Sequence, residues 1–295
     1  MAKLAVKVKK ENLTTTNLET RFFGASLNSA LSSVPTTLDD IENIITKTET
    51  KYNGNLKTEY DLNRGLVSFQ ANKSRSVYRW YKFKEAFSAE LVEYLLNRYG
   101  IKKGLLLDPF AGSGTALFAA SSIGISAEGI ELLPIGQQII TTKKLIEEGV
   151  SADEIAILEN WSTSAPWKKS KGRKIFLELR ITSGAYPNET LVTIERFLHS
   201  IDAESPKISS ILMFALLCVL ENISFTRKDG QYLRWDHRSE RRQGKRPFNK
   251  GYISNFDEAI SAKLRDIVSD LSGDGQILNL FLKDTKRGDI VLHNG

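Results

Sequence analysis

The chain has 295 residues, of which 41% are hydrophobic and 26% are charged, as is ordinary for a globular protein with a core of its own. A single cysteine, Cys218, excludes a disulfide framework, and three scattered histidines show no cluster of metal ligands. The net charge of +6 is concentrated in residues 227–250, the basic segment, where nine Lys or Arg face three Asp or Glu. No apolar run reaches membrane-spanning length and the first residues lack the apolar core of a signal peptide, so we expect a cytoplasmic protein without membrane contact.

The first half of the chain is expected to form a helical lead-in and then an α/β region. Residues 1–60 are polar and carry one capped helix start, PTTLDDIENIITKTE. Residues 61–150 contain a helix that Ser88 would cap, followed by the alternation strand, helix, strand, helix, with GLLLDPF and SAEGIEL as the strands. That alternation predicts a parallel sheet.

The second half is expected to be mostly helical around the basic segment. Residues 151–280 include ISSILMFALLCVLENI, which is long and apolar enough for a buried helix, and NFDEAISAKLRDIVSDL, which has the pattern of an amphipathic one. The basic segment lies between these two helices. Residues 281–295 contain a turn that enters the start of a further strand, GDIVLHNG.

The stretch LLLDPFAGSGTALFAA, residues 105–120, is typical of a strand, a glycine turn and a helix that hold a small ligand. A phosphate loop needs GxxxxGK[ST], and a dinucleotide fingerprint needs a third glycine where Leu117 stands, so both motifs fail. Gly112 and Gly114 let a ligand approach the backbone. Asp108 ends this strand and Glu131 ends the next, where a carboxylate can accept both hydroxyls of a ribose. This order favours S-adenosylmethionine.

The motif DPFAGSGT, followed by Glu131, resembles the cofactor motif of the DNA amino-methyltransferases, which methylate N6 of adenine or N4 of cytosine. The resemblance covers roughly residues 65–295 and implies an α/β, Rossmann-like methyltransferase fold that binds S-adenosyl-L-methionine. It also implies a helix beside the cofactor with Phe87 and Ser88 near its start, although a plain capping role for Ser88 stays open. The expected cofactor-binding residues are Asp108, Pro109, Phe110, Ala111, Gly112, Ser113, Gly114, Thr115, Glu131, Phe87 and Ser88.

Amino-methyltransferases need a second motif, [DNST]-P-P-[YFW], which binds the target amino group and stacks on the extruded base. The chain contains no Pro-Pro, and its nearest likeness, ITSGAYPNE with Thr182, Ser183 and Tyr186, lacks both prolines. Cys218, in an apolar helix, is expected to be a core residue rather than a nucleophile. We therefore assign no catalytic residue and expect an incomplete fold, the cofactor-binding amino-terminal half or a split subunit. A missing half or second polypeptide would carry the catalytic motif.

The basic segment interleaves cations with aromatic side chains, a combination typical of nucleic-acid contact. The expected contacts to double-stranded DNA are Arg227, Lys228, Arg234, Trp235, Arg238, Arg241 and Arg242. The alternative is a structural segment with Trp235 in a core and its arginines in surface pairs with Asp236 and Glu240. The expected function is the cofactor-binding part of a restriction–modification DNA methyltransferase. A non-catalytic DNA-binding protein that retains the fold and an RNA methyltransferase remain as alternatives.

Overall fold

The computed structural model describes residues 37–54, 59, 61–83, 86–229, 232–241, 246–272 and 286–294. The chain divides into two compact units, residues 1–59 and 60–295. In the first unit, helix α1 (Leu38–Tyr52) begins with a capping box in which Thr37 and Asp40 each accept a backbone hydrogen bond from the other. Its start agrees with the sequence prediction, and none of its side chains is buried.

The second unit alternates helices and strands in its first part and is mainly helical afterwards. Its elements are α2 (Ala89–Arg98), β1 (Leu105–Asp108), α3 (Thr115–Ser122), β2 (Ser126–Glu131), α4 (Pro134–Glu147), α5 (Ala152–Ser164), α6 (Asn188–Ile201), α7 (Pro206–Val219), β3 (Thr226–Asp229), β4 (Tyr232–Trp235), α8 (Phe256–Ser272) and β5 (Ile290–Asn294). The expected strands before and after the glycine turn, the apolar helix and the amphipathic helix are all present as β1, β2, α7 and α8.

The main sheet is parallel, with the strand order β1-β2-β5, which makes the fold mixed α/β as predicted. Along β2, Ala127 is fully buried and joins the apolar cluster formed with α2 and α3. Leu106 of β1 pairs with Ala127 and lies on the same face of the sheet. Because successive side chains of a strand point to opposite faces, Leu105 and Leu107 lie on the other face, where they are 60% and 61% exposed. Among the described strands, β1 pairs only with β2.

The larger core is helical and is built around tightly packed aromatic rings. Trp167 is fully buried, packs edge-on against Phe197 and Phe256, and donates its indole hydrogen to Asp257 at 2.7 Å. On α8, the buried Asp270 accepts a hydrogen bond from the Trp80 indole at 2.7 Å and pairs with Arg79. These bonds hold the segment that precedes α2 against α8.

The basic segment differs from the sequence prediction, since it contains a hairpin inside an otherwise helical region. Strands β3 and β4 pair antiparallel, with Thr226 opposite Trp235 and Arg227 opposite Arg234. Both strands are only four residues long and are charged, so no run of apolar alternation marks them in the sequence. Their pairing depends on cross-strand contacts and on aromatic side chains later in the chain.

Candidate functional site

The glycine turn lies between β1 and α3 and is tied to the end of β2. The Ala111 amide donates to the Ile130 carbonyl at 3.0 Å, and the Gly114 amide donates to the Ala111 carbonyl at 2.7 Å. Gly112 and Gly114 have φ values of +54° and +76°, a region that side chains other than glycine rarely adopt. Two glycines at this spacing are therefore a requirement of the backbone, in addition to any approach by a ligand.

Asp108 closes the strand before the turn. One oxygen of its carboxylate accepts the Phe110 amide at 3.1 Å, so this side chain caps the turn. The expected cofactor residues of the turn divide by exposure. Pro109 and Phe110 face the solvent, whereas Ala111, Ser113 and Thr115 are buried. The Ser113 and Thr115 hydroxyls lie 3.3 Å apart. The buried members shape the turn, and the exposed Phe110 is left at its rim.

Glu131 ends β2 beside the turn and is buried. Its carboxylate accepts the Leu133 amide at 2.7 Å. A Cβ atom placed on Gly136, in the first turn of α4, would lie 2.7 Å from both the Glu131 carboxyl carbon and the Gly112 carbonyl oxygen. The absence of a side chain at Gly136 therefore allows the carboxylate, the glycine turn and the start of α4 to meet. Sequence reasoning missed Gly136, although it stands five residues after Glu131 in ELLPIG.

Ser88 begins α2 as expected, and its hydroxyl already has two protein partners. It accepts the Leu91 amide at 3.0 Å and donates to the Leu66 carbonyl. The side chain is fully buried, so a ligand carboxylate would have to displace one of these contacts to reach the hydroxyl. A second residue missed in the sequence, Asn72, holds this helix start by bonding the Phe87 carbonyl and the Ala89 amide, both at 3.0 Å.

Phe87 borders an apolar cleft between α2 and the end of β1. The cleft has a volume of about 310 Å³ and is also lined by Leu91, Leu107, Asp108 and Ala116. This volume is at the lower end of the range for small-molecule sites. The cleft brings Phe87 and Asp108, two expected cofactor-binding residues from different elements, to one place.

The hairpin arranges its arginines on aromatic rings. The guanidinium carbons of Arg227 and Arg234 lie 4.6 Å and 4.2 Å from the ring centre of Phe248, and that of Arg241 lies 3.5 Å from the ring of Trp235. Stacking of this kind holds a guanidinium in a fixed place while it keeps its charge. Lys228 is exposed on β3. Arg242 lies outside the described residues.

Several cations of the basic segment are also bound within the protein. Arg238 is bound to the fully buried carboxylate of Asp236 at 2.6 Å, and Arg234, besides stacking on Phe248, pairs with Asp229 at 3.1 Å. Lys250 donates to the Ser224 carbonyl at 2.7 Å, and burial lowers the pKa of its amine to about 8. The pair of Arg238 with Asp236 agrees with the structural alternative, whereas Arg227 stacks on Phe248.

The segment that resembles a proline-less catalytic motif is used as a structural anchor. The Ser183 carbonyl accepts a hydrogen bond from Arg241 at 2.6 Å, and the Ala185 carbonyl accepts one from the Phe225 amide at 2.7 Å. The Tyr186 ring packs edge-on against Phe176, and burial raises the pKa of its hydroxyl to about 12. These contacts join the loop to the base of the hairpin.

Three further findings concern the lone cysteine, metal ligands and membrane-spanning helices. Burial raises the pKa of the Cys218 thiol to about 12, which keeps it protonated and unreactive at neutral pH. Within the described ranges, no group of three or more His, Cys, Asp or Glu side chains is placed to hold a metal ion. Nor does any described helix combine the length and the apolar character needed to cross a membrane.

Comparisons with known proteins agree with the motif. The N6/N4 methyltransferase family model, described as DNA methylase, matches residues 15–140. The type II methyltransferase M.AvaI of Nostoc sp. is 49% identical over 247 residues, which are 83% of this chain and 51% of the relative, and M.AvaI of Anabaena variabilis gives the same values. M.BsoBI of Geobacillus stearothermophilus is 37% identical over 242 residues, 76% of this chain and 47% of the relative. The chain spans about half the length of these relatives. No solved structure gives a significant match.

Proposed function

The chain is related to the DNA amino-methyltransferases, and from this relationship we propose that it forms the S-adenosylmethionine-binding part of a site-specific DNA methyltransferase of a restriction–modification system. Its target is an exocyclic amino group, N6 of adenine or N4 of cytosine. The observation that carries the proposal is the meeting of the Glu131 carboxylate with the glycine turn at Gly136. That arrangement suits a nucleoside ligand whose ribose lies next to the carboxyl ends of two parallel strands.

The residues around the turn have distinct roles in this proposal. Glu131 accepts hydrogen bonds from the ribose hydroxyls, and the backbone of Gly112 to Gly114 approaches the amino-acid part of the ligand. Asp108 faces the amino group of that part, and Phe87 borders the ligand on the apolar side of the cleft. When bound, S-adenosylmethionine supplies an electrophilic methyl group. The chain's own residues bind and orient it and keep it at the ends of β1 and β2.

We propose that the catalytic loop is not contained in these 295 residues. They contain no Pro-Pro and therefore no [DNST]-P-P-[YFW] motif. The segment that resembles it most, around Ser183, packs at the base of the hairpin. Leu105 and Leu107 are exposed on one face of the sheet, and β1 has an unpaired edge among the described strands. Both features support a Rossmann-like sheet that further strands and helices complete. A continuing chain or a second polypeptide supplies them, together with the motif that receives the target base.

Glu131→Gln tests the cofactor site directly. The substitution keeps the size of the side chain but removes the charge that strengthens hydrogen bonds from a ribose, so the dissociation constant for S-adenosylhomocysteine is expected to rise about 10- to 100-fold. Isothermal titration calorimetry measures it. Glu128→Gln is the matched control, because Glu128 lies on the same strand and faces the opposite side, where it contacts His293. Failure of the unaltered chain to bind, or equal affinity in both variants, would contradict the assignment.

The basic segment is proposed to contact the DNA backbone through the arginines stacked on Phe248. Removing both in Arg227→Ala/Arg234→Ala is expected to reduce the slope of log affinity against log salt by about 2, since each phosphate contact contributes roughly 0.9. Fluorescence anisotropy with a DNA duplex at several salt concentrations measures the slope. The double variant Lys102→Ala/Lys103→Ala removes the same charge from exposed positions before β1. If both double variants give the same slope, the loss is one of net charge alone.

A non-catalytic DNA-binding role is the second candidate, because the catalytic motif is absent from these residues. Transfer of labelled methyl groups from S-adenosylmethionine to unmethylated DNA separates the two functions. The chain is tested alone and mixed with the part of the Nostoc relative that lies outside the aligned region. Activity only in the mixture supports the methyltransferase proposal. Binding of DNA with no activity in either sample, and no affinity for S-adenosylhomocysteine, supports the second candidate.

A further inference from the structure

A buried lysine lies directly beneath the glycine turn. Lys143, on α4, is 2% exposed, and its ammonium donates a hydrogen bond to the Ser113 carbonyl at 3.1 Å. The rings of Tyr78 and Phe118 lie 5.3 Å and 5.4 Å from the same nitrogen. Lysine is among the residues least often buried, because its ammonium loses hydration that a few contacts only partly replace. The burial of Lys143 therefore indicates a role that an apolar side chain at this position could not fulfil.

The carbonyl that Lys143 binds belongs to a peptide group that is held at both ends. Its other end, the Gly114 amide, donates to the Ala111 carbonyl at 2.7 Å. Because a peptide group is planar, the two hydrogen bonds together fix the orientation of the whole unit between Ser113 and Gly114. Gly114 forms one side of this unit, and without these bonds its freedom in φ would let the unit rotate at small cost. The lysine supplies one of the two constraints.

We propose that Lys143 is a positioning residue for the cofactor site, which fixes the peptide unit between Ser113 and Gly114 and so holds the glycine turn in its ligand-binding shape. This inference rests on the proposed function, since it concerns the same turn. A turn that is already in its bound shape loses less conformational freedom when the ligand binds, and the affinity is higher for that reason. Gly136 and Lys143 then support the site from two points of one helix.

The environment of Lys143 makes this role sensitive to pH. Burial lowers the pKa of its amine to about 8, and a neutral amine is a weaker donor than an ammonium. The titratable groups around it are Tyr78, Glu147 on the same helix and Cys218 on α7. Burial raises the pKa of each of these three groups, and Arg287 pairs with the Glu147 carboxylate. The phenol and the thiol therefore stay protonated between pH 7 and 9, where the Lys143 amine titrates.

Lys143→Met is expected to weaken the binding of S-adenosylhomocysteine at pH 7 about tenfold, the effect of losing one charged hydrogen bond that organises the site. The affinity of the unaltered chain should fall between pH 7 and pH 9 by several-fold more than that of the variant, whose remaining pH dependence belongs to the ligand. Calorimetry at both pH values gives the constants, and circular dichroism confirms that the fold is kept. Lys144→Met is the matched control, because Lys144 also donates to a carbonyl, that of Ile290 on β5, away from the turn.

Hydrogen exchange of the Gly114 amide provides a second readout that needs no ligand and no variant. In the unaltered chain, its protection relative to the Ala111 amide should fall as the pH rises through about 8. Equal affinity and equal pH profiles in Lys143→Met and Lys144→Met would overturn the inference while the cofactor assignment stands. If the unaltered chain does not bind S-adenosylhomocysteine at all, the proposed function fails and this inference fails with it.

Discussion

Gly114→Ala is expected to lower the free energy of unfolding by about 2–5 kcal/mol, because the alanine would be forced into a left-handed backbone conformation and would also overpack the core. Gly114 has a φ of +76°. A Cβ atom there would lie 2.8 Å from a ring carbon of Phe118 and 2.9 Å from a side-chain carbon of Ile140, both of which are buried. Neither neighbour can move without disturbing the cluster that joins α3 to the sheet. Urea denaturation followed by circular dichroism measures the loss.

Gly112→Ala separates the two costs. Gly112 also has a positive φ, +54°, but the nearest atom to its Cβ position is a ring carbon of Phe83 at 3.5 Å, which is an ordinary contact. Its loss should stay near the backbone contribution alone, about 1–2 kcal/mol. Equal losses in the two variants would show that packing beneath Gly114 does not constrain this residue. A loss of stability in Gly112→Ala but not in Gly114→Ala would contradict the close contacts of Gly114 with Phe118 and Ile140.

Asp236→Ala is expected to lower the free energy of unfolding by about 3 kcal/mol, because it removes a buried carboxylate and leaves several hydrogen-bond donors around it without their acceptor. The Asp236 carboxylate is fully buried and accepts from the amides of Arg238 at 3.0 Å and Lys250 at 2.5 Å, as well as from the Arg238 guanidinium. It therefore closes the loop that follows β4. Asp229→Ala is the control, since its pair with Arg234 is half exposed and should contribute less than about 1 kcal/mol.

The pH dependence of the same variant has a defined sign. The hydrogen bond from Arg238 holds the pKa of Asp236 well below its ordinary range, against the effect of burial. A carboxyl whose pKa is lower in the folded state stabilises the fold at every pH above its unfolded pKa, which is about 4. The difference between the unaltered chain and Asp236→Ala should thus be constant from pH 7 to pH 5 and shrink below about pH 4. A difference that changes between pH 5 and 7 would contradict this account.

Much of the fold could be predicted from local patterns. The strand before the glycine turn, the apolar helix at residues 206–219 and the amphipathic helix at 256–272 each carry a complete signal within a short window. The hairpin could not be predicted in the same way, because Arg227 and Arg234 become neighbours only after pairing and are then held by Phe248, more than ten residues away. Strand propensity in such a case expresses tertiary contact more than local preference.

The candidate site shows the same division. A motif of neighbouring residues, from Asp108 to Thr115, indicates a ligand turn because its glycines and its strand-end carboxylate act locally. Asn72, Gly136 and Lys143 support that turn or the helix beside it from other elements, and no spacing connects them to it in the sequence. Their contribution is packing and hydrogen bonding to backbone groups, which leaves no motif of side chains to recognise.

Residue order alone indicates the α/β character, the turn at Gly112 and Gly114, the strand-end position of Glu131 and the resemblance to the DNA amino-methyltransferases. These features depend on backbone restrictions and on side chains whose order along the chain matches their order in space. Three-dimensional packing, by contrast, selects the arginines that stack on aromatic rings and those that pair with Asp229 and Asp236, and Arg234 does both. This packing also places the ammonium of Lys143 beneath the turn. Burial and the partners of a charge depend on elements that are distant in the chain, and local sequence does not contain that information.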